Sequence, residues 1–117
     1  MSRIDIKVGK DKDCAVGFDP GIESLFFQSG KLDSRGKPVH WIGYAPRQML
    51  SLSQLEDSIR ELCDQPGFTL PAAAHRALLH EASRYFDQLH QTGALSRGEN
   101  KTIQRQLVSV PLHLSQS

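Results

Sequence analysis

The period of the hydrophobic pattern changes near residue 50, and this constrains the fold more than any other feature of the chain. Before it, apolar residues alternate. Ile4, Ile6 and Val8 fall on one face and Arg3, Asp5 and Lys7 on the other, the pattern of a half-buried strand. After it, apolar residues recur every three or four positions, as on one side of a helix. Leu52, Leu55, Ile59 and Leu62 make one such stripe, and Ala74, Ala77, Leu78, Ala82, Tyr85, Phe86 and Leu89 make another. Strands followed by helices define an α+β chain.

Punctuation residues set the expected bounds. A charged turn at 9–13 precedes a second strand at 14–18, which Asp19-Pro20-Gly21 ends, since Pro fixes φ and Gly tolerates positive φ. Residues 22–28 are readable two ways. Ile22, Leu25 and Phe26 make a helical triplet, whereas Leu25-Phe26-Phe27-Gln28 reads as a buried strand, the reading preferred here. Residues 29–38, with two glycines, Asp33, Ser34 and Pro38, form a loop or hairpin tip, and 39–44 is a further strand with Val39 and Trp41 on one face. The first helix is expected over 52–64, capped by Ser53 with Glu56 or by Ser51 with Gln54, and ended by Pro66-Gly67. The second spans 71–90, with Pro71 in its first turn and Gly93 just beyond its end. The expected architecture is an antiparallel sheet of three to four strands (4–8, 14–18, 25–28, 39–44) with the two amphipathic helices packed on one face. Residues 96–106 are polar and basic and suit a short third helix, with Arg97, Lys101 and Arg105 as a positive stripe. The alternating tail after Leu107 either closes the chain's own sheet or meets a partner. A chain of 117 residues fits a single domain, 1–117, with 94–117 as its least defined part.

Charge narrows the partners. Lys plus Arg is 14 and Asp plus Glu is 13, so no net field draws the chain to nucleic acid or to an anionic membrane. The charges are nevertheless segregated. Lys31, Arg35, Lys37 and Arg47 outweigh Asp33, whereas Glu56, Asp57, Glu61 and Asp64 outweigh Arg60. No apolar run approaches the roughly 20 residues that span a bilayer, and residues after Met1 lack a leader pattern. Two cysteines, Cys14 and Cys63, lack zinc or CxxC spacing. A cytoplasmic protein with both thiols reduced is expected.

Catalytic signatures are absent from the linear sequence. His75 and His80 sit five apart and diverge by about 140° on a helix, so they are expected to be exposed rather than to share a metal. His40 and His90 have no carboxylate or Cys at a telling distance. No GxSxG elbow and no phosphate loop occurs; Cys63 lies near a helix C-terminus, and Cys14 in an apolar strand reads as core. No enzyme, metal or cofactor is expected, although an enzyme of unrecognised type is a third possibility.

Two binding roles are left. The first is a non-catalytic protein-binding module using Arg35, Trp41, Tyr44 and Arg47, because aromatic and Arg anchors dominate specific interfaces. The alternative is single-stranded nucleic-acid binding through Lys31, Arg35, Lys37, Trp41 and Tyr44, a basic loop beside stacking rings. The run Val16-Gly17-Phe18-Asp19-Pro20 with Leu25-Phe26-Phe27-Gln28, then Trp41-Ile42-Gly43, Ser51 and Leu70-Pro71, resembles small uncharacterised proteins encoded on bacterial plasmids and other mobile elements. The likeness covers residues 14 to about 90 and rests on turn and core signatures. It implies an α+β fold, carries no activity or functional residues, and suggests an accessory or inhibitor protein.

Overall fold

The computed structural model describes residues 3–109. Four strands, β1 (Ile4–Val8), β2 (Asp11–Asp19), β3 (Ser24–Gln28) and β4 (Trp41–Ile42), precede three helices, α1 (Leu52–Leu62), α2 (Ala72–Gln91) and α3 (Arg97–Leu107). The sheet is an antiparallel meander in the order β1-β2-β3-β4.

The first hairpin is tighter than the charged run 9–13 suggests. Val8 pairs with Asp11, leaving only Gly9 and Lys10 in the turn. Gly9, at φ +61°, supplies the left-handed first position that such turns favour. Residues 22–28 resolve to the strand reading: Phe18 faces Leu25 and Val16 faces Phe27 across the ladder. Directly paired residues share a face, so Ile4, Val16, Phe27 and Ile42 form one transverse row and Asp5, Ala15, Gln28 and Trp41 form a row on the opposite face. The first row belongs to the main core with Leu55, Ile59, Leu78, Phe86, Ile103 and Leu107 from the helices.

The strand expected over 39–44 is only two residues long. Side chains capture the backbone donors that would extend it. Ser29 Oγ accepts from the His40 N–H at 3.0 Å, and Gln48 Oε1 accepts from the N–H groups of Gly43 and Tyr44 at 3.1 and 2.9 Å. Residues 29–40 instead close as a hairpin arm. Ser29 N–H bonds the His40 carbonyl, Val39 N–H the Lys31 carbonyl and Asp33 N–H the Lys37 carbonyl.

Ser51, not Ser53, caps α1, its hydroxyl accepting from Gln54 N–H at 3.2 Å. The helix stops before Pro66-Gly67. Asp64 turns left-handed at φ +52°, and Gln65 N–H returns to the Arg60 carbonyl at 2.9 Å, the bond of a Schellman C-cap. Gly93 does the same for α2, with Ala94 N–H on the Leu89 carbonyl. Ala74, Leu78, Ala82 and Phe86 are the buried line of α2, whereas Ala77 is exposed and Leu62 of α1 is nearly half exposed. Complete burial of Leu78 and Phe86 contributes about 1.5–3 kcal/mol each.

The polar run 96–106 forms α3, opened by a reciprocal Ser96–Glu99 capping box. Hydrogen bonds from Ser96 hold the Glu99 carboxyl below its usual range. A side-chain chain joins α3 to α2: Asn100 donates to Asp87 at 2.9 Å, and Gln104 meets Ser83. Arg97, Lys101 and Arg105 are exposed. The expectation for the end of the tail, including Val110, Leu112 and Leu114, lies outside the described residues.

Candidate functional site

Trp41 and Tyr44 form an exposed aromatic ridge at the β4 edge of the sheet. The pairing of Gln28 with Trp41 puts the indole on the face opposite the main core. Gly43 then passes so close to β3 that a methyl there would penetrate the Leu25 carbonyl oxygen and lie 2.8 Å from Phe26 Cα. Gln48 Oε1 accepts from the amides of Gly43 and Tyr44 and bends the chain. The Tyr44 ring thereby returns beside Trp41, centroids 5.9 Å apart and planes inclined by 61°. Trp41 is 41% exposed and Tyr44 61%.

A cavity lies on each side of this ridge. One, of about 220 Å³, has Phe26, Trp41 and Tyr44 as ring walls and Arg3, Gln28 and Asp19 as polar groups. An Arg3 Nη donates to Gln28 Oε1 at 3.2 Å, and Arg3 Nε lies 4.0 Å from Asp5 Oδ1 in an exposed ion pair; the Gln28 amide N–H₂ and further guanidinium N–H groups are donors at the cavity edge. Phe26 is buried, on the opposite face from its neighbours Leu25 and Phe27. The other cavity, about 480 Å³, reaches α1 and is bordered by Trp41, Tyr44, Met49, Leu62 and Glu61.

The site residues expected from sequence divide into three groups. Trp41 and Tyr44 come together. Lys31, Arg35 and Lys37 are exposed on the hairpin arm, whose tip is ordered by Asp33 Oδ1 accepting from the N–H groups of Arg35 and Lys37 at 2.8 and 3.0 Å. Arg47 does not line the ring-walled cavity. It bonds Glu23 at 3.0 Å and lies over the Phe86 ring at 5.8 Å. Glu23 also accepts from the Tyr85 hydroxyl at 2.9 Å. Burial, and then this bond to Glu23, push the Tyr85 pKa up. Both Glu23 and Arg47 have positive φ, +55° and +50°, so the ion pair joins two strained turns.

The acidic side chains of α1 differ in what they meet. Glu56 accepts from Arg60 at 2.8 Å and from Leu70 N–H at 2.7 Å, while Glu61 is exposed beside the larger cavity.

His40 does find cysteines. With Asp11 it lines a cavity of about 190 Å³ shared by Cys14 and Cys63, an approach that sequence distance conceals. Burial pushes the Cys14 thiol up to about 11 and raises Cys63 as well, with the Asp11 charge adding to both. Burial opposes the charge on Asp11, yet amides of Asp13, Lys31 and Gly30 outweigh it and lower its pKa. Through those bonds Asp11 clips the base of the hairpin arm to β2. Among the described residues no three His, Cys, Asp or Glu side chains are grouped to hold a metal ion, and no helix is long and apolar enough to cross a membrane.

Sequence reading missed Arg3, Phe26, Gln28, Gly43 and Gln48. The available signal for Phe26 was the strand period of two, which sets it on the opposite face from Leu25 and Phe27. The role of Gln48 had none, because an amide five residues from Gly43 is ordinary in a loop. No family model matches the chain, and no curated protein or solved structure matches it.

Proposed function

We propose that this chain is a small, non-catalytic, cytoplasmic protein-binding module, an accessory or inhibitor protein of a bacterial mobile element. One observation supports the reading above the others: two large aromatic side chains stand exposed at a sheet edge, between two cavities. Buried aromatic anchors seated in pockets supply most of the energy of a specific interface, and Trp41 and Tyr44 stand in contact as one exposed aromatic pair. In this reading α1 and α2 pack on one face of the sheet, and the exposed rings of Trp41 and Tyr44 meet the partner.

The test is affinity capture from the native host with the wild type and with Trp41→Ala and Tyr44→Ala. A partner retained by the wild type and lost by both folded variants supports the reading. Recovery of the same proteins by all three overturns it.

Single-stranded nucleic acid is the second reading, favoured by the exposed Lys31, Arg35 and Lys37 on the arm that leads to Trp41. It requires affinity that falls steeply with salt and quenching of Trp41 fluorescence by oligothymidylate. Absence of quenching at low salt excludes it.

A further inference from the structure

The ring-walled cavity and the charges around it define what kind of segment fits. A cavity of roughly 150 Å³ takes one benzene ring, so about 220 Å³ suits a single aromatic side chain and little more. Its walls are the Phe26, Trp41 and Tyr44 rings, and aromatic groups prefer such edge and offset contacts. Its polar edge offers donors from Arg3 and Gln28.

The surrounding charge is asymmetric. On the hairpin side, Lys31, Arg35 and Lys37 are exposed and outnumber Asp33, whose Oδ1 accepts from two backbone amides. On the other side, Asp19 borders the cavity, and Glu61 borders its neighbour across the ridge. Lys37 and Arg35 stand on the hairpin arm, four and six positions before Trp41 in the chain.

Resting on the protein-binding reading above, we propose that the occupant is an extended peptide segment of a partner protein. It places one Phe, Tyr or Trp in the cavity and carries Asp or Glu on one side of that anchor only, the side that faces the hairpin arm. A nucleic acid fits less well. Trp41 and Tyr44 are inclined at 61° in contact with each other, which makes a corner for one ring rather than faces for successive bases. A phosphate chain continuing across the ridge would also run onto Glu61.

Selection of a random twelve-residue peptide library on the intact chain tests this, with oligothymidylate measured alongside. The expected winners carry an aromatic residue with acidic residues on one side of it. Trp41→Ala and, as a second folded variant, Tyr44→Ala each weaken their binding tenfold or more. Arg35→Glu with Lys37→Glu weakens it about tenfold at low salt and less at high salt. Winners that need Trp41 but lack the aromatic or the acidic group overturn the inference and leave the protein-binding reading standing. Winners indifferent to both ring variants, a library that enriches nothing, or tighter Trp41-dependent binding of oligothymidylate overturns both.

Discussion

Replacing Gly43 by alanine tests how the site is built. Gly43 has φ +79°, where an L side chain costs about 1–2 kcal/mol. The added methyl would also penetrate the Leu25 carbonyl oxygen and approach Phe26 Cα to 2.8 Å. Both obstacles are backbone within a paired strand, so neither can rotate aside, and overpacking of this kind costs about 1–3 kcal/mol. The sum is about 3 kcal/mol. With an m-value of about 1.5 kcal/mol/M in urea, the unfolding midpoint falls by about 2 M. Two other glycines separate the contributions. Gly36, at φ +78°, has nothing within 4 Å of the point where a methyl would stand, so its alanine variant shows the backbone cost alone, about 1 kcal/mol. Gly98, early in α3 with open space around it, gains up to about 1 kcal/mol as alanine. Urea titrations of the three variants decide the matter. If Gly43→Ala loses no more than Gly36→Ala, the close approach that sets Trp41 and Tyr44 together is refuted.

Three further outcomes are expected. Ser51→Ala costs about 1 kcal/mol in urea titration and Ser53→Ala almost nothing, because only Ser51 caps α1; equal losses contradict that assignment. The Cys14 thiol stays protonated to about pH 11 when folded, against 9.0 unfolded. Its contribution is therefore complete below pH 9 and is lost as pH rises toward 11, about 3 kcal/mol in all; urea midpoints of wild type and Cys14→Ala converge over that interval, and parallel pH profiles refute it. Glu23→Ala costs about 1 kcal/mol, since the Arg47 pair is partly solvated; a double-mutant cycle with Tyr85→Phe reports coupling of about 0.5–1 kcal/mol, and zero coupling contradicts a stabilising Tyr85–Glu23 bond.

How far the fold could be read from sequence follows from how local each cause is. Strand β1 was legible because one of its faces is solvated and its residues alternate. Strand β3 was ambiguous because Leu25, Phe26 and Phe27 are all buried, which erases alternation. Helix α2 was legible from spacing, and its Gly93 stop from backbone chemistry. The end of α1 was not, since Asp64 takes a left-handed conformation more often given to Gly. Strand β4 fell short for a tertiary reason: Ser29 and Gln48 side chains take donors that a ladder would use. The same holds at the site. Residue type singled out Trp41 and Tyr44, but Arg3 and Gln28 reach the cavity only through strand register. The pairing of Arg47 was not legible, because its partner Glu23 lies 24 residues away.

The order β1-β2-β3-β4 has a consequence for how the chain acquires its shape. Every strand pairs with its neighbour in sequence, and the longest connection inside the sheet is the arm 29–40, itself a hairpin. Loop-closure entropy is correspondingly small at each step, and topologies rich in local contacts fold quickly. The meander can zip from its turns as the chain emerges during synthesis, before α2 and α3 exist to cover Val16 and Phe27. During that interval its apolar face is open to other chains, so the speed with which the helices arrive governs how much of the protein escapes aggregation.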